Sequence, residues 1–232
     1  MYIDEFNKYA KTFDLTIKQI IYKYHHSFRV MEIAKEIALS LNLNKEEIEL
    51  ATICGLFHDI GRFRQWTEYE TYRDQDSIDH GDLGSEILKD FLNNYKDKDI
   101  VIKATKYHNK YDVPELDERT TLFCNIVRDA DKLDIMREQT NEIYQKEIIL
   151  KPELLTDIDN KIICQNKNIE NEVDTIIREL SWVFDLNFKY SFKFLKDKKI
   201  IENKLNLLKI YGETEEIKKL ETTINNEIEK RL

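Results

Sequence analysis

Helix breakers are scarce throughout this chain. Its 232 residues include only two prolines and five glycines, while Leu, Ile, Lys and Glu are abundant and apolar residues recur at three-to-four spacing. Strong helix formers with that period predict an all-helical protein. Val30, Ile33, Ala34, Ile37, Ala38 and Leu41 mark one apolar stripe, and Asn44 with Glu47 three residues later forms a capping-box pattern that opens the next helix, running to His58. Gly61 reads as the stop of that helix, followed by a polar and aromatic connection over 61–79. Leu83, Ile87, Leu88 and Phe91 define a further helix and Ile100 to His108 another, with a break at Pro114. Asp117 is placed to cap a helix carrying Leu122, Phe123, Ile126, Val127, Ala130 and Leu133. Several more helices are expected after about residue 138, and the Lys/Glu-rich C-terminus reads as a solvated helix face.

Within that framework, His58 and Asp59 close an apolar run of Ala51, Ile53, Cys54, Leu56 and Phe57. Three of the other four histidines, His26, His80 and His108, recur around this pair at intervals of twenty to thirty-odd residues. Asp131 stands four residues after Val127 and four before Ile135, which puts a carboxylate on an apolar helix face. Such a charge is costly unless paired or metal-bound. One histidine on an apolar face is more often a hydrogen-bonded core residue than a ligand. The joint pattern favours a metal site spread over several helices. His25 falls outside it and reads as structural or surface-exposed.

Composition narrows the function classes. Apolar residues make up 41% of the chain, enough for a substantial core, and no apolar stretch approaches the roughly 20 residues that span a bilayer. The N-terminal residues lack the basic-then-apolar order of a secretory signal, so a cytoplasmic protein with no membrane partner is expected. Cys54, Cys124 and Cys164 read as buried reduced thiols, not as a disulfide framework or a thiolate metal site. A formal net charge of −9 argues against duplex nucleic acid as partner, whereas a small phosphorylated ligand needs only a local positive pocket.

Five blocks then occur in a recognisable order: HSFRVMEIA from His26, GLFHDIGR ending at Arg62, HGDLGSEIL from His80, KYHNK around His108, and VRDADKLD through Asp134. In these blocks the chain resembles the HD-domain superfamily of metal-dependent phosphohydrolases over roughly residues 20 to 140. The resemblance implies an HD-domain-like multi-helix bundle with additional C-terminal helices: a single helical domain spanning 1–232, with the HD core at about 20–140 and an extension over about 141–232. It implies that His26, His58, Asp59 and Asp131 bind a divalent metal. His80 and His108 stand where some members hold a second metal, with Asp59 bridging, and where others use the histidines for substrate contact or proton transfer; both roles stay open. The HD-plus-Glu-Asp signature of alarmone hydrolases is absent, as is the Gly-Tyr-Pro motif of cyclic-di-guanylate phosphodiesterases, so the small stand-alone HD hydrolases are the nearer likeness.

The chemistry implied is hydrolysis of a small phosphate ester or anhydride, with a nucleotide as the expected substrate. One or two divalent ions drawn from Mn, Mg, Fe, Co, Ni or Zn would supply hydroxide to attack phosphorus. His80, His108 and Arg62 are the expected catalytic residues. Arg62, with Arg64 and Lys132 as weaker candidates, is expected to contact the phosphate through cationic hydrogen bonds. Asp129 and Asp134 are expected behind the ligands or as caps. Asp74, Asp76 and Asp79 read as turn caps, with a base for water as the other reading. Phe63, Trp66, Tyr69 and Tyr72, interleaved with Arg62, Arg64 and Arg73, suit either a substrate-covering loop or packing onto the core. Gly55, Gly61, Gly81 and Gly84 fit either crowding around a site or tight helix contacts. A different class of function, a non-catalytic module that keeps the metal site to bind a nucleotide or a partner, is the alternative.

Overall fold

The computed structural model describes residues 2–138, 149–210 and 212–232. It divides into two compact units, Met1–Asp134 and Ile135–Leu232. The boundary near residue 140 expected for the HD core lies in 139–148, outside the described residues. Among the described residues every regular element is a helix, as the all-α reading expects.

The first unit contains α1 (Tyr2–Ala10), α2 (Lys18–Ser40), α3 (Lys45–Phe57), α4 (Gly61–Tyr69), α5 (His80–Ile87), α6 (Lys98–Tyr107) and most of α7 (Glu118–Arg137). Helices α2 and α3 form an antiparallel hairpin across a short turn. The Asn44 side chain accepts from the Glu47 amide at 3.0 Å, and the Glu47 carboxylate accepts from the Asn44 amide at 3.4 Å, so both halves of the capping box are present. Along the hairpin, a Cβ on Gly55 would lie 2.9 Å from the Ala34 Cβ and 3.0 Å from the Val30 carbonyl oxygen. The missing side chain therefore lets α2 and α3 approach closely, which brings His26 opposite His58. Beneath them, Phe6, Phe57 and Phe63 are fully buried and meet edge to face. Asp117 accepts from the Thr120 amide at 2.9 Å and caps α7, as its position predicts.

Two expectations fail at Gly61. It does not stop a helix: α3 ends at Phe57, and Gly61 opens α4, so the first half of the expected 61–79 connection is helical. A Cβ at Gly61 would stand 2.3 Å from the carbonyl oxygen of His80 and 2.8 Å from the Gly84 amide nitrogen. The residue is thus required by the contact between α4 and α5, not by a left-handed turn. Helix α4 ends at Glu70, whose φ of 53° is left-handed.

The second unit contains α8 (Pro152–Asp159), α9 (Glu172–Ser181), α10 (Lys189–Asp197), α11 (Ile200–Lys209) and α12 (Glu215–Arg231). Pro152 opens α8 at a position that needs no amide hydrogen, and Asn171 caps α9 by accepting from the Asp174 amide at 2.9 Å. Helix α12 buries Ile217, Leu220, Ile224 and Ile228 and leaves its Lys/Glu face to solvent, in line with the sequence reading. Lys204 and Glu179 form a buried ion pair between α11 and α9. All three cysteines are buried as reduced thiols, as expected. No helix among the described residues is long and apolar enough to cross a membrane.

Since the neighbours of Gly61 are main-chain atoms that cannot rotate away, Gly61→Ala should destabilise the protein by roughly 1–3 kcal/mol through overpacking. Denaturant unfolding measures it, and a variant as stable as the parent would contradict the α4–α5 contact described.

Candidate metal centre

Four helix-positioned side chains converge at the first cluster. His26, fully buried on α2, gives its Nδ1 hydrogen to Asp134 Oδ2 at 2.7 Å, and Asp134 is held in turn by the Arg29 guanidinium. His58, just past the end of α3, gives its Nδ1 hydrogen to the Gly55 carbonyl at 2.7 Å. These bonds fix the tautomers, so both Nε2 atoms present lone pairs. The two Nε2 atoms are 3.3 Å apart. Asp131 Oδ1 from α7 lies 3.0 and 3.5 Å from them, and Asp59 Oδ2 lies 3.5 and 3.6 Å from them.

A second cluster repeats the logic on the other oxygen of Asp59. His80, the first residue of α5, gives its Nδ1 hydrogen to Asp74 Oδ2 at 2.7 Å, and His108, just past α6, gives its own to the Thr105 carbonyl at 2.7 Å. Their Nε2 atoms are 3.0 Å apart, and Asp59 Oδ1 lies 3.4 and 3.5 Å from them. Arg128 secures this end of the site by donating to the carbonyls of Tyr107 and Lys110, on either side of His108.

Two neutral imidazoles whose Nε2 atoms both lack hydrogens share no hydrogen bond, and such a pair of lone pairs suits a cation between them. Ligand atoms about 2.0–2.2 Å from one ion lie roughly 2.8–3.6 Å from one another, between the octahedral and tetrahedral limits. Every separation just given falls in that range. Three groups, His26 with His58 and Asp59, His58 with His108 and Asp131, and Asp59 with His80 and His108, could each hold a metal ion. Nitrogen and carboxylate oxygen donors without a thiolate suit Mn, Fe, Co, Ni, Zn or Mg.

The electrostatics agree with the donor set. Burial alone would raise the pKa of Asp59, but the Lys23 ammonium, with His58, His108 and Arg62 around it, holds its carboxyl well below the usual range. The facing imidazoles of His26 and His58 likewise hold Asp131 well below the usual carboxylate range. Burial and the nearby Arg62 charge push His80 down to about 4, in spite of Asp74. His80 is therefore neutral at physiological pH. For His58 burial works the other way, yet Asp59 and Asp131 raise its pKa: the field that attracts a proton there also attracts a metal cation.

Arg62 reaches the second cluster. Its Nη1 donates to Gln65 Oε1, the Tyr72 carbonyl and Asp74 Oδ1, while its Nε, buried and without a hydrogen-bond partner, lies 3.6 Å from Asp59 Oδ1. Arg64 is not brought to the cluster; its side chain is 53% exposed and ion-pairs with Glu68 at 2.6 Å on the solvent side of α4. Lys132 is largely buried on α7 beside Asp131. Asp76 pairs with Arg73 at the surface and Asp79 caps α5, whereas Asp74 has left the capping role to orient His80. Phe63 is buried, Trp66 lies 5.0 Å from the Tyr72 ring and Tyr72 donates to the Gln19 carbonyl, so these three aromatics pack the segment down. His25 is exposed.

Sequence reasoning passed over Lys23 and Gln65. Lys23 donates to Asp59 Oδ2 at 2.7 Å from a nearly closed position on α2. The available signal was its spacing, three residues after Ile20 and seven before Val30, on the buried stripe of that helix.

Residues 24–136 match the HD domain family. The match spans just under half of the chain's length and supports an HD-domain superfamily protein. HD domains are in general metal-dependent hydrolases. No curated relative and no solved structure matches the chain.

If the two clusters share Asp59, Asp59→Asn should lower metal uptake at both, whereas His108→Ala should spare the cluster of His26, His58 and Asp131. Metal-to-protein ratios after Mn2+ loading and desalting distinguish them, and equal losses would refute a shared carboxylate. Asp134→Asn, which replaces the carboxylate behind His26 by a neutral amide and removes the charge that Arg29 pairs with, should weaken Mn2+ binding by about 10–100-fold in calorimetry.

Proposed function

We propose that the chain is a metal-dependent phosphohydrolase acting on a small phosphate ester or anhydride, with a nucleotide as the substrate class. The observation that carries this reading is the pair of imidazole couples facing each other across the two oxygens of Asp59. A divalent ion bound there lowers the pKa of water and neutralises charge on a phosphoryl oxygen.

The chain's own groups supply the rest. Asp59 directs one oxygen to each cluster and is ionised, so it accepts from both sides without needing to lose a proton. Asp131 has a side chain 18% exposed against 0–4% for the other clustered ligands, which makes its edge the side open to a substrate. The unpartnered Arg62 Nε lies 3.6 Å from Asp59 Oδ1 and is available to a phosphoryl oxygen arriving over the second cluster. With its pKa pushed down to about 4, His80 is neutral at physiological pH and keeps its one hydrogen on Nδ1, which favours a ligand role for Nε2 over general-acid catalysis. The net charge of −9 disfavours long polyanions and leaves small ones, which the local cations Lys23 and Arg62 can hold.

A phosphate-release and phosphodiester screen over nucleotides, run with Mn, Mg, Co, Ni and Zn, tests the reading. Turnover should require added metal. His58→Ala and Asp59→Ala should abolish it, with the helical circular dichroism retained. Full activity in both variants would overturn the proposal, and nucleotide binding without turnover under every metal would favour a binding module instead.

A further inference from the structure

Lys23 carries a positive charge where a metal ion would be expected to stand unopposed. Its ammonium donates to Asp59 Oδ2, the oxygen that faces the Nε2 atoms of His26 and His58. Its side chain is 10% exposed, and its Nζ lies 5.7 Å from the ring centroids of both Tyr22 and Tyr72. A protonated lysine has only hydrogens to offer and cannot ligate a cation. Its charge repels an ion at the first cluster, and in a partly closed site that repulsion is only weakly screened. A residue whose sole task was to orient Asp59 would do so without this penalty as a neutral donor.

Neighbouring cations are engaged elsewhere. The Arg29 guanidinium binds both oxygens of Asp134, and Arg62 Nη1 ties the loop through Gln65, Tyr72 and Asp74. Lys23 meets the first cluster with its charged end, at Asp59 Oδ2. An anion placed between an ion and this ammonium would turn the repulsion into two attractions.

We propose that Lys23 is a phosphate-binding residue of the first cluster, its ammonium passing from Asp59 Oδ2 to a phosphoryl oxygen when an ion engages that carboxylate. It makes metal and phosphate binding cooperative: each relieves the charge imbalance that the other would create. The proposal rests on the reading of the site as one for a phosphorylated ligand, but its test needs no turnover.

The experiment is calorimetry on the full-length protein, titrating Mn2+ alone and then inorganic phosphate at saturating Mn2+, for the parent, Lys23→Met, Lys23→Gln and Lys23→Arg. Loss of the charge should leave Mn2+ affinity in the absence of phosphate unchanged or as much as about tenfold tighter. Phosphate affinity should fall by about tenfold or more in Lys23→Met and Lys23→Gln, and recover to within about threefold in Lys23→Arg. If Lys23→Met does not fold, as judged by thermal unfolding, Lys23→Gln and Lys23→Arg carry the same comparison. Weakened Mn2+ binding in the neutral variants would identify Lys23 as a positioning residue for Asp59 and overturn the proposal, as would unchanged phosphate affinity. A parent protein that takes up Mn2+ and phosphate but hydrolyses nothing removes the hydrolase reading and leaves Lys23 in place. A parent that takes up Mn2+ but no phosphate overturns both.

Discussion

One buried carboxylate, Asp59, is shared by two sets of histidines, and the architecture of the first unit follows from the need to hold it. Its Oδ2 faces His26 and His58, its Oδ1 faces His80 and His108, and Lys23 and Arg62 approach from the flanks. Ionised groups in a nearly dry interior are tolerated only when matched by opposite charge or by a metal. The close approaches of α2 to α3 at Gly55, of α4 to α5 at Gly61 and of Gly81 on α5 to the Thr105 and Lys106 carbonyls of α6 bring the four imidazoles near enough to make that match.

Behind the inward-facing nitrogens lies a separate set of acceptors. Asp134, the Gly55 carbonyl, Asp74 and the Thr105 carbonyl each receive one Nδ1 hydrogen. Asp74 belongs to a wider knot in which Arg62, Gln65 and Asn109 all donate to it. The segment between α4 and α5 is thereby tied to the ring orientation of His80, which gives its polar composition a physical reason. Orienting acceptors of this kind determine which lone pair a histidine presents.

Much of this was legible from residue order. The ligand types, the helical class and the caps at Asn44 and Asp117 each rest on a short local pattern that survives folding unchanged. Helix α4 was not legible: it has nine residues, few of them apolar, and the glycine that looks like a stop at its start is there for a contact with His80, nineteen positions further on. Lys23 was passed over because lysines are ordinarily solvated, and only its place on a buried stripe separates it from a surface residue. Asp74 looked like a turn cap because its partner depends on how the loop folds back. What sequence could not supply in each case was a neighbour distant along the chain or a loop's path in space.

His58 and His108 each sit one residue beyond a helix and satisfy the carbonyl three positions earlier. Carbonyls in a final helical turn lack intrahelical partners, so the same imidazole both finishes a helix and offers a lone pair to the cluster. Neither a carboxylate nor a thiolate has a hydrogen to give that carbonyl once it is ready to ligate. Exchange of these two side chains for other donor types is therefore closed unless the helix ends are rebuilt, and variation in the donor set is left to Asp131, the more open member of the cluster, and to the residues around it.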